Sequence, residues 1–382
     1  MKKLLLPLSY LLVIVATVLG TLAFTQGPLR LPRYKLQELE MLLTRCFVDG
    51  AESKPLQDAA AYAMVEALGD RWSYYIPQEE YDAYVEQKKN AYVGVGMTLT
   101  KGESRVVAKV VKGGPADMAG VQPGDVIVAV NDTRVTQMTT DELSGLVRGP
   151  EGTSLTMTVL RGEEEIALTM QRRTIRTAVA TGVMLEDGIG LVTIENFNEN
   201  CYKETMAAVE QLQKQGLRAL IFDVRYNGGG YKHELEDVLD ALLPEGVLFR
   251  SEHYTGKTEV DESDARCLEM PMAVLVNSES YSAAEFFAAA LQEYDWAEVV
   301  GTQTQGKGHY QETYLLSDGS AVGISTGRYC TPKGTDLEGV GITPDIVVEV
   351  DALTDAKIYA KTLDPMEDPQ ILAALNALKT AK

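Results

Sequence analysis

Histidine and cysteine are scarce in this chain, and neither is spaced to hold a metal. Its 382 residues carry three histidines, His233, His253 and His309, and four cysteines, Cys46, Cys201, Cys267 and Cys330. No CxxC pair occurs, so a metal site is not expected. The cysteines lie far apart with no histidine close by in sequence, so four unpaired thiols are expected rather than a thiol nucleophile. Positive charge is also short: 35 Lys and Arg against 55 Asp and Glu leave a formal charge of −20. That balance argues against nucleic acid as a partner and against an electrostatic grip on anionic lipid. Neither GxxxxGK[ST] nor GxGxxG occurs, so the glycine-rich stretches do not read as nucleotide loops.

What is present begins with an apolar run from Leu4 to Phe24 behind Lys2 and Lys3. Residues 1–30 read as an export signal or a signal anchor. Thr21-Leu22-Ala23 offers a weak cleavage site, but the run approaches the ~20 residues that span a bilayer, which favours an uncleaved anchor. The body then lies outside the cytoplasm, held at the cell membrane, or secreted if the segment is cut.

Residues 34–91 read as helical. Tyr34–Val48 and Pro55–Ala67 are amphipathic, and Pro77 with Glu79 and Glu80 opens a further helix. The aromatics Trp72, Tyr74, Tyr75, Tyr81 and Tyr84 fit a helical core better than a partner-binding face. From Tyr92 the pattern turns to short strands through residue 176. Residues 177–350 alternate strands and helices, as a layered α/β core does. Within them the apolar strand Leu217–Val224 runs into Asn227-Gly228-Gly229-Gly230. Those glycines serve as a tight turn or as N–H donors to a developing oxyanion; sequence alone leaves both open. Residues 351–382 end in a helix with Ile371, Leu372, Leu375 and Leu378 on one side. That stripe either docks on its own domain or joins a partner chain, and a homodimer is compatible with it.

The stretch Asn277–Gln311 draws the chemistry together. The apolar strand Met272–Val276 enters a turn, then Ser282, then a helical pattern from Ala283 to about Tyr294. A serine at a strand-to-helix turn meets unpaired N–H groups and the positive end of the helix dipole, where a nucleophile and its oxyanion are best placed. Ser282 is preceded by Tyr281 rather than Gly, and a histidine partner is available only from His233 or His309. Lysine is the other candidate base. It has to be neutral, and burial beside apolar groups lowers its pKa from about 10.4 towards ~7–8 at about 1.4 kcal/mol per unit. Lys307 sits between Gly306 and Gly308 with no carboxylate following before Glu312. If 307–315 is a strand, Lys307, His309 and Gln311 share a face, and the Gln311 oxygen can hold the amine without a charge partner that would raise its pKa.

Two resemblances follow from these residues. GGPADMAG and VQPGDVIVAVND resemble the signature stretch of a PDZ domain, over residues 92–176. That likeness implies that Gly94, Val95, Gly96 and Met97 capture a peptide tail, which adds to the sheet edge at Met97–Leu99 opposite a helix near Leu143–Val147. YSAAEFFAAALQEYDWAEVVGTQTQGKG, FDVRYNGGG and RYCTPKGTDLEGVGITPDIVVE resemble blocks of the carboxy-terminal processing (tail-specific) proteases, Ser-Lys peptidases with an inserted PDZ domain. The resemblance implies an α/β multidomain chain. It has a crotonase/Clp-like mixed α/β protease core, an inserted β-barrel-like PDZ domain, and helical N- and C-terminal segments. It implies Ser282 as nucleophile, Lys307 as base, Gln311 as its orienter, an oxyanion hole at Gly229 and Ala283, and no metal or cofactor. It implies protein substrates with apolar C-terminal tails, and a PDZ domain that gates the site.

Four departures stand out. Ala284 replaces a usual second serine. Gly228 replaces a proline, which predicts a more flexible loop. His309 replaces a small residue and puts a titratable group beside the base; charged below about pH 6.5, it depresses the lysine further. Glu293 and Asp295 read as helix-end surface groups. Two alternatives remain: a catalytically silent PDZ adaptor outside the membrane, and a Ser-His hydrolase using His309.

Overall fold

The computed structural model describes residue 17 and residues 35–100 and 105–380. Apart from residue 17, the segment 1–30, expected as an export signal or signal anchor, lies outside these. Among the described residues no helix is long and apolar enough to cross a membrane. The chain divides into two compact units, one running to Pro77 with Tyr314–Gly323 added, the other comprising Gln78–Thr313 and Ile324–Lys382.

The first unit holds helices Lys35–Cys46 and Ser53–Glu66, neither of which buries a residue. Tyr74 and Tyr75 do not continue the helical pattern. Tyr74–Ile76 is a strand, antiparallel to Ala321–Gly323. Three consecutive aromatic and β-branched residues favour a pleated, half-buried position, and Pro77 closes it. Tyr75 is buried, meets Tyr62 edge-on at 5.1 Å and donates its hydroxyl to Asp58 at 2.8 Å.

The second unit contains helix Gln78–Lys88 and then a β-rich body. Ala91–Gly94 pairs with Arg173–Arg176, and Met97–Leu99 with Val107–Val110. Val126–Val130, Thr133–Arg134, Ser154–Arg161 and Glu164–Gln171 form a four-stranded sheet. Alternate residues Leu155, Met157 and Val159 point into a core shared with Val107, Ile127 and Leu143. Thr139 caps helix Thr140–Val147 reciprocally with Glu142.

A six-stranded sheet follows in the order 180–184, 189–194, 219–223, 272–276, 297–301, 346–347, parallel except for the first pair, while strands 246–253, 258–263, 309–315 and 321–330 belong to another sheet. Helices Cys201–Gln213, Lys232–Leu242 and Ala283–Glu293 are the crossovers. The central strands 219–223 and 272–276 are buried at every residue because both faces are covered. Leu220, Phe222, Val274 and Val276 face the core that includes the crossover helices, while Ile221, Ala273 and Leu275 face the core that includes Ile371, Ala374, Leu375 and Leu378. The C-terminal helix Pro369–Thr380 therefore docks on its own sheet rather than waiting for a partner. Leu372, expected on that stripe, stays 37% exposed. All four cysteines are unpaired, and burial pushes the Cys201 thiol up to about 12.

Candidate active site

Three loops leave the carboxyl ends of three adjacent parallel strands, 219–223, 272–276 and 297–301. They carry the glycines, Ser282 and Lys307 in turn. The carboxyl edge of an open parallel sheet is where loops of separate crossover units converge on a ligand.

The first two loops are laced together by buried amides. Asn277 Oδ1 accepts the Tyr226 N–H at 2.9 Å, Ser280 donates its hydroxyl to Val224 O at 2.7 Å, and the Tyr281 N–H reaches Asn227 O at 3.1 Å. Asn227 is wholly buried, donates to Ile194 O at 2.8 Å and accepts the Gly229 N–H at 2.8 Å. The proposed oxyanion donor is thus turned onto Asn227 in this structure. Gly229 has φ +82° and lies so close to Ser282 that a Cβ there would stand 2.7 Å from Ser282 Cβ. The Tyr281 hydroxyl fills the space above Gly228, 2.5 Å from where a Cβ would be. Behind the loop, Arg225 is buried and hydrogen-bonds Asp223, Asp368 and Gln370. Burial works against its charge, and Asp223 and Asp368 more than offset this, so the guanidinium stays firmly protonated.

Ser282 ends the second loop in a backbone conformation rare for a side-chain-bearing residue, φ 59° and ψ −126°, at the N-terminus of helix Ala283–Glu293. One turn into that helix, Glu285 is fully buried, and its carboxylate accepts four hydrogen bonds. They come from the Ser282 N–H at 3.0 Å, the Thr304 hydroxyl at 2.6 Å, the Gly306 N–H at 2.7 Å and the Lys307 N–H at 2.8 Å. A single carboxylate therefore fixes the backbone of Ser282 against that of Lys307. Sequence reading passed over Glu285, although Ser282-x-x-Glu285 has the spacing of a capping box.

The strand after Lys307 begins at His309, not at Lys307. Gly306 has φ +82° and the amides of 306–308 are drawn to carboxylates, so Lys307 stands in a loop and the shared-face reading holds only for His309 and Gln311. The Lys307 ammonium lies 5.8 Å from the centre of the Tyr281 ring. Gln311 donates its amide nitrogen to His309 O at 3.1 Å and bonds Ser325 Oγ at 3.0 Å, which leaves its oxygen as the acceptor. Ser325 sits in a Gly-Ile-Ser-Thr-Gly sequence that matches GxSxG in letters, but it lies mid-strand in Ala321–Cys330 and not at a strand-to-helix turn. Glu293, expected at the surface, caps a turn instead: it accepts the Thr331 hydroxyl at 2.6 Å and the Lys333 N–H at 2.7 Å.

Two concavities flank Ser282. A pocket of about 290 Å³ is lined by Ser282, Ala283, Gln311, Leu235, Phe249 and Phe286, among others. A cleft of about 1110 Å³ runs past Gly228, Gly229 and Tyr281 to Tyr92, Val93 and Arg148. Of the residues expected to hold a peptide tail, Gly96 has φ +76° and Val95 is buried. Met97–Leu99 pairs with Val107–Val110 and with no other strand among the described residues.

Comparison with known proteins bears on the family and the fold. Residues 188–348 match the model of peptidase family S41 and residues 106–161 that of a PDZ domain. The chain is 30% identical over 366 residues to a "probable CtpA-like serine protease" of Staphylococcus epidermidis, covering 91% of this chain and 74% of that one. A protein of the same description in Staphylococcus aureus is 30% identical over 333 residues, 86% of this chain and 67% of the relative. Among solved structures, the photosystem II D1 C-terminal processing protease aligns with a TM-score of 0.50 at 26% identity, over 88% of this chain and 92% of that one. A Bacteroides fragilis structure described as an S41 protease has a TM-score of 0.58 at 16% identity, over 93% and 99% of the two chains, a likeness of fold.

Proposed function

The chain belongs to the S41 serine peptidases, in the C-terminal processing group with a PDZ domain, and from that premise we propose that it is an endopeptidase cutting exported or membrane proteins near apolar C-terminal tails through Ser282, Lys307 and Gln311. The observation that carries this reading is the Glu285 carboxylate, which binds the backbone N–H groups of Ser282 and Lys307 together. An arrangement that fixes these two residues in register suits a nucleophile and its base.

In the proposed cycle, neutral Lys307 takes the Ser282 hydroxyl proton as Oγ attacks the scissile carbonyl. The Ala283 and Gly229 N–H groups stabilise the oxyanion, the Gly229 amide exchanging Asn227 Oδ1 for the developing charge. Lys307 returns the proton to the leaving amine, an acyl-enzyme remains on Ser282, and water deacylates it by the reverse transfers. The pocket of about 290 Å³ takes the apolar side chain at the cut. The tail binds at Gly94–Met97 and extends the Met97–Leu99 edge, and its capture aligns the site. The protein works outside the cytoplasm, tethered by residues 1–30. His309 is less suited to be the base, because its Nδ1 faces Glu338 at 3.5 Å.

The experiment is digestion of an unstructured protein with and without an apolar tail by wild type and by the Ser282→Ala, Lys307→Ala and His309→Ala variants. Both Ser282→Ala and Lys307→Ala are expected to lose at least about a thousandfold in kcat, and His309→Ala less than tenfold, with the tailed protein cut faster. Retained activity in Lys307→Ala with loss in His309→Ala assigns the base to histidine. Unchanged cleavage of the tail-less protein removes the PDZ role.

A further inference from the structure

The loop that carries Lys307 is held by two carboxylates, only one of which belongs to the nucleophile helix. Four consecutive backbone amides point at them. Gly306 and Lys307 donate to Glu285 at 2.7 and 2.8 Å; Gly308 and His309 donate to Glu338 at 2.8 and 3.1 Å. Glu338 belongs to the segment 336–341, which presses on the same loop from the other side. A Cβ on Gly308 would stand 2.8 Å from Asp336 Oδ1 and 2.9 Å from Glu338 N, and one on Gly306 would stand 2.7 Å from Val340 N. The Gly339 N–H returns a bond to Gly306 O at 3.0 Å. The glycines on either side of Lys307 are therefore explained by backbone-to-backbone packing against this segment.

We propose that Glu338 is a positioning residue for Lys307, the second anchor of a two-carboxylate cradle that sets where the base stands relative to Ser282. The proposal rests on the Ser282–Lys307 reading above. It also gives His309 a place. The His309 ring lies against Glu338, Nδ1 to Oε2 3.5 Å, and its own N–H completes the cradle, so the residue contributes its backbone more than its imidazole. Charge-assisted hydrogen bonds of this kind are about twice as strong as neutral ones. Without Glu338 the 308–309 amides would turn to solvent and the lysine loop would be pinned at one end only. A displacement of about 1 Å at a reacting group costs on the order of a hundredfold in rate.

Both amides bind the same oxygen of Glu338, Oε2. A glutamine has one such oxygen and can accept both, whereas an alanine accepts neither. The test compares wild type, Glu338→Gln, Glu338→Ala and Lys307→Ala on one apolar-tailed peptide, with thermal melting of each. Glu338→Ala is expected to lower kcat roughly thirty- to a hundredfold with KM within threefold, at a folded fraction matching wild type. Glu338→Gln is expected to retain kcat within about fivefold, the rescue that a charge effect or a general loss of stability does not give. A kcat within twofold of wild type in Glu338→Ala overturns the proposal. So does an equal loss in both Glu338 variants, or a loss that tracks unfolded protein. Activity retained in Lys307→Ala overturns the Ser–Lys reading itself, and the cradle then has no base to position.

Discussion

At the scale of single residues, Glu285 shows how a glutamate can be hidden by a familiar motif. Its spacing from Ser282 is that of a helix cap, and it does accept the Ser282 N–H. The same carboxylate also accepts three donors from residues 304–307, which lie far along the chain and cannot be inferred from local spacing. Oε1 takes Thr304 and Gly306, and Oε2 takes Ser282 and Lys307, so both oxygens are in use. Glu285→Gln would turn an NH₂ group towards two donors in a fully buried site. The expected cost is about 3–5 kcal/mol of stability, since buried donors lose their partner. A fall in kcat of at least about a hundredfold should accompany it. Chemical unfolding and a peptide assay check both. The contrast with Glu338→Gln, expected to be mild, separates the two carboxylates. The placement of Ser282 at a strand-to-helix turn was legible in sequence because that turn is a local feature. Tyr281 over Gly228 was not, since it joins two loops that are distant in sequence.

At the scale of elements, the central strands 219–223 and 272–276 could be read closely because both their faces are buried and their apolar runs are long. Two readings failed for one reason: tertiary contacts overrode the local pattern. Tyr74–Ile76 joined a strand partner near residue 321 rather than a helical face, and the amides before His309 left the strand for carboxylates. In the PDZ domain, Asp125 is buried and Arg161 grips it at 2.7 and 2.8 Å, with a further bond from the Gln122 N–H. The Arg161 hydrogen bonds hold the Asp125 carboxyl below its ordinary 3.8. A folded value below the unfolded one means that the pair stabilises the domain above about pH 3.8 and that the contribution is lost as pH falls through the folded value. Asp125→Asn should therefore destabilise the domain by about 2 kcal/mol at pH 7 and by much less near pH 2. Urea unfolding at the two pH values measures this; an equal loss at both excludes the ion pair as its source.

At the scale of the whole molecule, the S41 fold explains why three distant stretches of sequence meet. Parallel crossover topology puts the ends of strands 219–223, 272–276 and 297–301 side by side, and the glycine loop, Ser282 and Lys307 follow one from each. The C-terminal segment takes part from behind: Asp368 and Gln370 bind Arg225, and Asp355 accepts the Tyr226 hydroxyl, so the glycine loop is braced by the last part of the chain. Order along the sequence made the architecture legible, because the motifs fall at strand ends in the sequence a doubly covered sheet requires. The orientation of Gly229 towards Asn227 was not legible, since it depends on a side chain two residues away folding back under its own loop. The most direct measurement is covalent labelling by a serine-directed fluorophosphonate, read by mass spectrometry of the peptide that contains Ser282, in wild type and Lys307→Ala. A Ser–Lys peptidase predicts a stoichiometric adduct on Ser282 in wild type and a labelling rate lower by at least about a thousandfold in Lys307→Ala. Equal labelling in the two proteins, or an adduct on another serine, would contradict it.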